Sequence, residues 1–400
     1  MDLSITSINL KVKYKDIHHV EIKAISSFDD EYAALLNIWN TEEYKSLTQQ
    51  IIVFNKLQII NKYKLPKNLK WNCIYRLNHS SYLLGSKFSS FYSGSVLALF
   101  NDRKIENYKI FDKGYSTEIG IIQKDRENSI LIKGNWYKCV PCGGHDDYVP
   151  ELWQSRITLA GTDFIDEDLD QSYQSLIKTS VPDSDINPEN YYVLEDFGIS
   201  KYSNDNKLSW NQGLGHIGHE SLQPLNKIVP FFKTQNGQTI QDGVWFSGAD
   251  HTHSDRSLSE PLFGRVTAGG TIQSFKHILY SFPEIYKIHT LISGMDNNCL
   301  LIAETLIMGQ GNGLCLLYNH FTEGVWQQQI KYINFIETDL TLIIQDKPEF
   351  HNRYLDIKKI CPQSERLEDL KEIIIFGNAS HLRNRDNGNV WTITISDSFT

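Results

Sequence analysis

Apolar and polar residues take turns near the start of the chain: Ile8, Leu10 and Val12, then Val20, Ile22 and Ala24, alternate with polar neighbours, as the two faces of a half-buried strand do. Two opening strands are predicted. Between Tyr32 and Tyr63 the pattern is less decisive. EYAALLNIW, after the acidic FDDE, fits the start of a helix, whereas QQIIVFNKLQII reads as a buried strand and its continuation. From Trp71 onward one unit recurs, in which an apolar strand reaches a glycine, a polar interval follows, and a small-residue turn starts another apolar strand. SYLLGSKFSSFYSGSVLALF carries it with Gly85 and Gly94, EIIIFGNASHLRNRDNGNVWTITIS with Gly377 and Gly388, and LIMGQGNGLCLLYN with Gly309 and Gly313. VWFSGAD and TLISGMD share apolar residues followed by Ser-Gly-x-Asp, a match that assigns the glycine to a turn needing positive φ and the aspartate to capping that turn.

Strands separated by turns over most of the chain, with little helical period, resemble the β-propeller superfamily, in which four-stranded blades close a ring. The resemblance covers residues 65–400. It implies an all-β fold of about six or seven irregular blades, at about 40 to 60 residues per blade. Residues 1–64 would supply N-terminal strands, with a short helix if EYAALLNIW is helical, and complete the ring. The first alternating strand is expected to pair with NVWTITIS of the last blade, leaving no open edge. The competing architecture is two β-sandwich-like domains with a break near the acidic, Pro/Asn-rich region 163–190.

Composition narrows the partners. With 40% hydrophobic and 12% aromatic residues among 400, the chain can bury a large core and is no disordered segment. A net charge of −9 and a pI of about 5.8 exclude a general nucleic-acid binder, which needs a basic surface, and favour a basic protein partner. No 18-residue apolar run is present, and MDLSITSINLKVKYKDIHHVEIK lacks the apolar block of a secretory signal. A cytoplasmic protein without membrane contact is expected. Six cysteines are too dilute for a disulfide framework, so reduced thiols are expected.

Four stretches carry candidate chemistry. His251 and His253 lie two apart, on one side of a strand, with Asp250 and Asp255 nearby; that set fits zinc or a similar divalent ion. The bland reading is a long polar loop with Asp250 as a turn cap. Cys139 and Cys142 have ligand spacing, and His145 follows, but one isolated pair before Gly-Gly also reads as turn cysteines. His216, His219 and Glu220 have neither the order nor the spacing of a zinc-protease helix. The acidic run Asp163, Asp166, Glu167, Asp168 and Asp170 lacks the spacing of a helical calcium loop and reads as a solvated face. Phosphate-loop, dinucleotide and Gly-x-Ser-x-Gly signatures are absent from the sequence. The favoured function is therefore a non-catalytic, protein-binding propeller, a scaffold or inhibitor, with no cofactor. The alternatives are a metal-dependent hydrolase built on His251 and His253, and a carbohydrate-binding propeller using Trp210 and Trp245.

Overall fold

The computed structural model describes residues 3–10, 19–40, 47–55, 58–87, 94–101, 103–112, 115–126, 129–142, 145–168, 180–182, 191–194, 198–203, 207–213, 227–250, 260–307, 310–323, 325–335, 342–381 and 384–395. Its strands begin with β1 (Leu3–Asn9) and then fall into groups of four in chain order. Blade one is β2 (His19–Phe28), β3 (Glu31–Trp39), β4 (Leu47–Asn55) and β5 (Gln58–Lys64). Blade two is β6 (Lys70–Arg76), β7 (Ser81–Lys87), β8 (Ser95–Asn101) and β9 (Lys104–Phe111). Blade three is β10 (Tyr115–Arg126), β11 (Ser129–Cys142), β12 (His145–Ala160) and β13 (Asp163–Asp168). Blade four is β14 (Ser180–Pro182), β15 (Tyr191–Leu194), β16 (Gly198–Tyr202) and β17 (Leu208–Gly213). Blade five is β18 (Lys227–Gln235), β19 (Gln238–Asp250), β20 (Glu260–Thr267) and β21 (Ile272–Ser274), followed by the single helical turn α1 (Lys276–Leu279).

A nine-stranded sheet holds the remainder. One parallel bridge, Gly311 to Arg353, joins its two halves. Blade six is β22 (Ile285–Ser293), β23 (Cys299–Ile307), β24 (Gly311–Thr322) and β25 (Val325–Phe335), with β26 (Leu342–Gln345) added outside. Blade seven is β27 (Arg353–Pro362), β28 (Glu372–His381) and β29 (Asn384–Ile395), completed by β1 on its outer edge. The chain is thus a β-propeller of seven blades among the described residues, rather than a pair of sandwiches. The N-terminal strand pairs with the last as expected, Leu3 opposite Ile395 through Asn9 opposite Asn389.

Among the described residues six hydrophobic cores lie between consecutive blades, and they explain the sequence pattern. In β3, Ala33 and Leu35 pack towards blade two with Trp71, Ile74 and Tyr82, while Ala34 and Leu36 pack towards blade seven with Ile374 and Phe376. Both faces are buried, so both parities are apolar, and EYAALLNIW is a strand where a helix had been an open reading. An outer strand keeps the alternation instead: β9 runs exposed, half-buried in strict turn until Phe111. The acidic run becomes β13, an outer strand whose Asp166 pairs with Lys109 of blade two at 3.2 Å and accepts from the Ser155 hydroxyl. Charge on such an edge opposes pairing with other chains.

The repeated glycines have a different cause from the one the sequence suggested. Gly85, Gly313, Gly377 and Gly388 lie inside strands. At Gly85 a Cβ would stand 2.6 Å from both the Cys73 sulfur and the Ile119 side chain of the next blade, so the position requires close approach rather than a turn. Ser-Gly-x-Asp also fails as a repeat. Gly248 is within β19, opposite Leu262, near the end where second strands pass to third strands. Gly294 follows β22 at the opposite end, where first strands turn into second ones, and there Asp296 and Asn297, not the glycine, take the left-handed backbone with φ of 49° and 74°.

Candidate functional site

Strands of a blade alternate in direction, so connections from a second to a third strand, and from a fourth strand to the next blade, leave at one end of the ring. The described parts of two candidate stretches lie at that end. Asp250 closes β19 and is paired with Glu260; His251, His253 and Asp255 lie outside the described residues, as do His216, His219 and Glu220. In the β11–β12 hairpin the backbone of Cys142 is opposite His145 and that of Cys139 opposite Tyr148. Among the described residues no group of three or more His, Cys, Asp or Glu side chains is placed to hold a metal.

The two tryptophans proposed for a sugar are engaged in packing. Trp245 is fully buried, with ring centroids of Phe231, Phe275 and Phe263 at 5.6, 5.7 and 6.4 Å, and presents no face to solvent. Trp210 is half-buried; its indole N–H donates to the Ala268 carbonyl at 3.1 Å, tying blade four to blade five.

The residues that sequence reasoning missed are side-chain amides. Asn378 of blade seven accepts from the Ile22 N–H at 2.7 Å and donates to the Ile22 carbonyl at 3.0 Å in blade one. Gln49 of blade one does the same for Trp71 of blade two, at 2.7 and 2.8 Å, and Asn312 of blade six for Leu355 of blade seven, at 2.7 and 3.0 Å. Each amide grips the backbone of the next first strand as a sheet neighbour would. Each also leans on a carboxylate. Asn378 reaches Asp356 at 3.4 Å, Asn312 reaches Glu304 at 2.5 Å, and Gln49 donates to Asn37, which donates to Glu21 at 2.9 Å.

Glu304 is the most buried of these carboxylates. Tyr286 donates to it, His289 Nε2 stands 2.9 Å away, and Asn312 is the third partner. Burial pushes its pKa up, but His289, Tyr286 and Asn312 together hold it below the ordinary value. Burial and the carboxylate push the Tyr286 hydroxyl up, which makes it a donor and not a nucleophile. A lowered folded-state pKa means that the stability Glu304 contributes is complete above the ordinary carboxylate range and is lost as pH falls through the lowered value. Glu304→Gln is therefore expected to lower the melting temperature at pH 7, with the gap to the parent chain closing below about pH 4. A gap independent of pH in thermal melts would show that the charge of Glu304 is idle.

A second ionic cluster occupies the opposite end, between blades one and two. The fully buried Arg76 side chain binds Glu31 and donates to the Asn78 and His79 carbonyls at 3.0 Å each. Burial raises the Glu31 pKa, and Arg76 with His79 outweighs it, leaving the carboxyl below its usual value. Between blades five and six, Asp296, on the turn between β22 and β23, accepts from the Thr234 N–H at 2.7 Å and from its hydroxyl at 3.0 Å. Its role is to join blades. Four described cysteines are free and buried; burial pushes Cys73 and Cys299 up to about 12 and Cys361 to about 11, and raises Cys315 as well. Thiols this weakly acidic stay protonated and are poor nucleophiles.

No protein-family model matches the sequence, and no curated protein matches it. Solved structures with a similar course of the chain include the subtype N11 neuraminidase-like protein of A/flat-faced bat/Peru/033/2010 (H18N11), with 8% identity, a TM-score of 0.38, and coverage of 100% of this chain and 94% of that one. The subtype N10 neuraminidase-like protein of A/little yellow-shouldered bat/Guatemala/060/2010 gives 8% identity, a TM-score of 0.37, and coverage of 99% and 98%. A puromycin-hydrolyzing peptidase of Mycobacterium tuberculosis gives 10%, 0.39, and coverage of 92% of this chain and 53% of that one. The propeller assignment rests on the sheets of this chain.

Proposed function

We propose that the protein is a non-catalytic binding ring that holds a basic protein partner at the end where the blade-to-blade connections gather. The observation that carries this reading is the way the ring is held. Buried amides lock successive blades at Ile22, Trp71 and Leu355, which makes a rigid frame for connections such as those between residues 168 and 180, 213 and 227, and 250 and 260. A rigid scaffold carrying long connections is the usual architecture of recognition. The perturbed groups described above serve the frame: Glu304 orients Asn312, Arg76 joins two blades, and the thiols are protonated. With a net charge of −9, attraction to a basic surface follows, and it weakens with salt.

The full chain, immobilised and incubated with a lysate of its native cells, is expected to retain a basic protein in a fixed ratio and to release it as salt rises from about 0.1 to 1 M, as the screening length falls from about 10 to 3 Å. Recovery of no specific protein, or of one whose retention ignores salt, would count against the reading. One observation favours a second function. The two Ser-Gly-x-Asp peptides sit at opposite ends of their blades, Gly248 within β19 and Gly294 after β22, so the role of Asp296 does not carry over by repetition to Asp250 beside His251 and His253. Elemental analysis tests that metal-hydrolase reading directly: stoichiometric zinc, lost in the variant His251→Ala/His253→Ala, would establish it over the binding ring.

A further inference from the structure

Seven blades meet at seven seams, and six of these carry the hydrophobic cores. Among the described residues no core joins blade three to blade four. Strand register says which side chains face that seam. On blade three, Ile130, Ile132 and Trp153 pack into the core shared with blade two, so the opposite face carries the cross-strand pairs Ser129–Thr158, Leu131–Arg156 and Lys133–Gln154. On blade four, Tyr192, Leu194 and Ile199 pack toward blade five, so the pairs Tyr191–Tyr202 and Val193–Ser200 turn the other way. Lysine, arginine and glutamine thus stand on one side, and a serine with two stacked tyrosines on the other. The apolar residues at the margins are uncovered: Ile121, opposite Lys133, is 51% exposed, and Ile165, opposite Thr158, is 52% exposed. Inside, Leu131 and Val193 are only 5% and 4% exposed, so the seam is shut in the resting ring. The Gln154 amide nitrogen is buried with no partner among the described residues.

We propose that the seam between blades three and four is the joint at which the closed ring opens, the two blades parting reversibly while the six cores hold the rest as a continuous arc. The reason lies in what each seam gives up on parting. Separating two apolar faces exposes hydrocarbon to water, a cost that grows with the area. Parting blade three from blade four exposes Leu131, Val193 and the tyrosine pair, and it returns Lys133, Arg156 and the Gln154 amide to water, where charged and unpaired polar groups are better solvated. Three of the other seams are further bonded through the buried amides of Asn378, Gln49 and Asn312. Opening in a native protein concentrates where buried apolar contact is least. Motion of the ring is thereby confined to one joint, and the frame elsewhere stays rigid. The joint rests on the side chains of this seam alone and is independent of the protein-binding reading.

Thiol labelling of the full chain under native conditions tests the joint. Leu131→Cys and Ser200→Cys place a buried thiol on either side of the seam. Leu99→Cys, in the core between blades two and three, and Ser247→Cys, on the same face of β19 as Trp245, make the same changes at buried positions in other seams. Each rate is divided by that of the same thiol in denaturant, and the labelled peptide is identified by mass, which separates it from the native cysteines. The two seam thiols are expected to label on the order of 100-fold faster than the two controls, and at equal corrected rates, because one opening exposes both. Ser129→Cys replaces Leu131→Cys should that variant fold poorly, and Val193→Cys, with Val229→Cys as its control, replaces Ser200→Cys. Equal labelling at all four positions would overturn the joint. So would fast labelling at Ser200 with Leu131 as slow as Leu99, since the short strands of blade four would then be fraying alone.

Discussion

Asn378→Leu is expected to lower the free energy of unfolding by about 4 kcal/mol, read from the shift of a urea transition, because it orphans two backbone groups at once. The Ile22 N–H and carbonyl both bond to the Asn378 amide in a buried setting, and leaving a buried polar group without a partner costs about 1–3 kcal/mol each. Leucine matches the volume and supplies neither bond. The loss falls on the seam between blades seven and one, so amide exchange should quicken first at Ile22 and its neighbours in β2. A loss below about 1 kcal/mol would mean that water replaces the amide and that the seam is held by its apolar core alone.

Trp245→Ala is expected to cost a similar amount, about 3–5 kcal/mol, through the cavity it leaves among Phe231, Phe263 and Phe275. Trp245→Phe should be far milder. The Trp245 indole N–H is buried with no partner among the described residues, so phenylalanine gives up part of the ring but removes an unsatisfied donor. If alanine were instead tolerated within about 1 kcal/mol while carbohydrate binding on a glycan array disappeared, Trp245 would be a recognition residue and the core assignment would fail.

The all-β class and the closing role of β1 were legible because they rest on local period and on the chemistry of strand edges. Of the alternating set, Ile8 lies in β1, which does pair with β29, while Leu10 follows that strand and Val12 lies outside the described residues. The middle strands were harder. Blades pack through both faces, so Ala33 through Leu36 are all buried, and an unbroken apolar run carries no period to separate strand from helix. The glycines misled for a related reason. A residue such as Gly85 is set by a side chain of the next blade, Ile119, and nothing adjacent in sequence distinguishes that demand from a turn. Least legible were the amides. Gln49, Asn312 and Asn378 look like ordinary polar residues in strands, and the backbone groups they hold are 22, 43 and 356 positions away. Their signal is a buried amide on a second or third strand bonded to the first strand of the next blade, which only the assembled ring displays.

The outermost strand of the seventh blade precedes every other described strand in sequence. During synthesis β1 leaves the ribosome long before β29 exists to receive it, and blade one must likewise wait for its neighbour on that side, whose Ile374 and Phe376 fill their shared core. The earliest residues therefore spend most of translation without their native partners. Closing the ring brings β1 to β29, strands far apart in sequence, and contacts of such wide separation form slowly. Until it happens, both the β29 edge and the apolar side of β3 remain open to other nascent chains, which makes the interval before closure the protein's period of greatest exposure to aggregation.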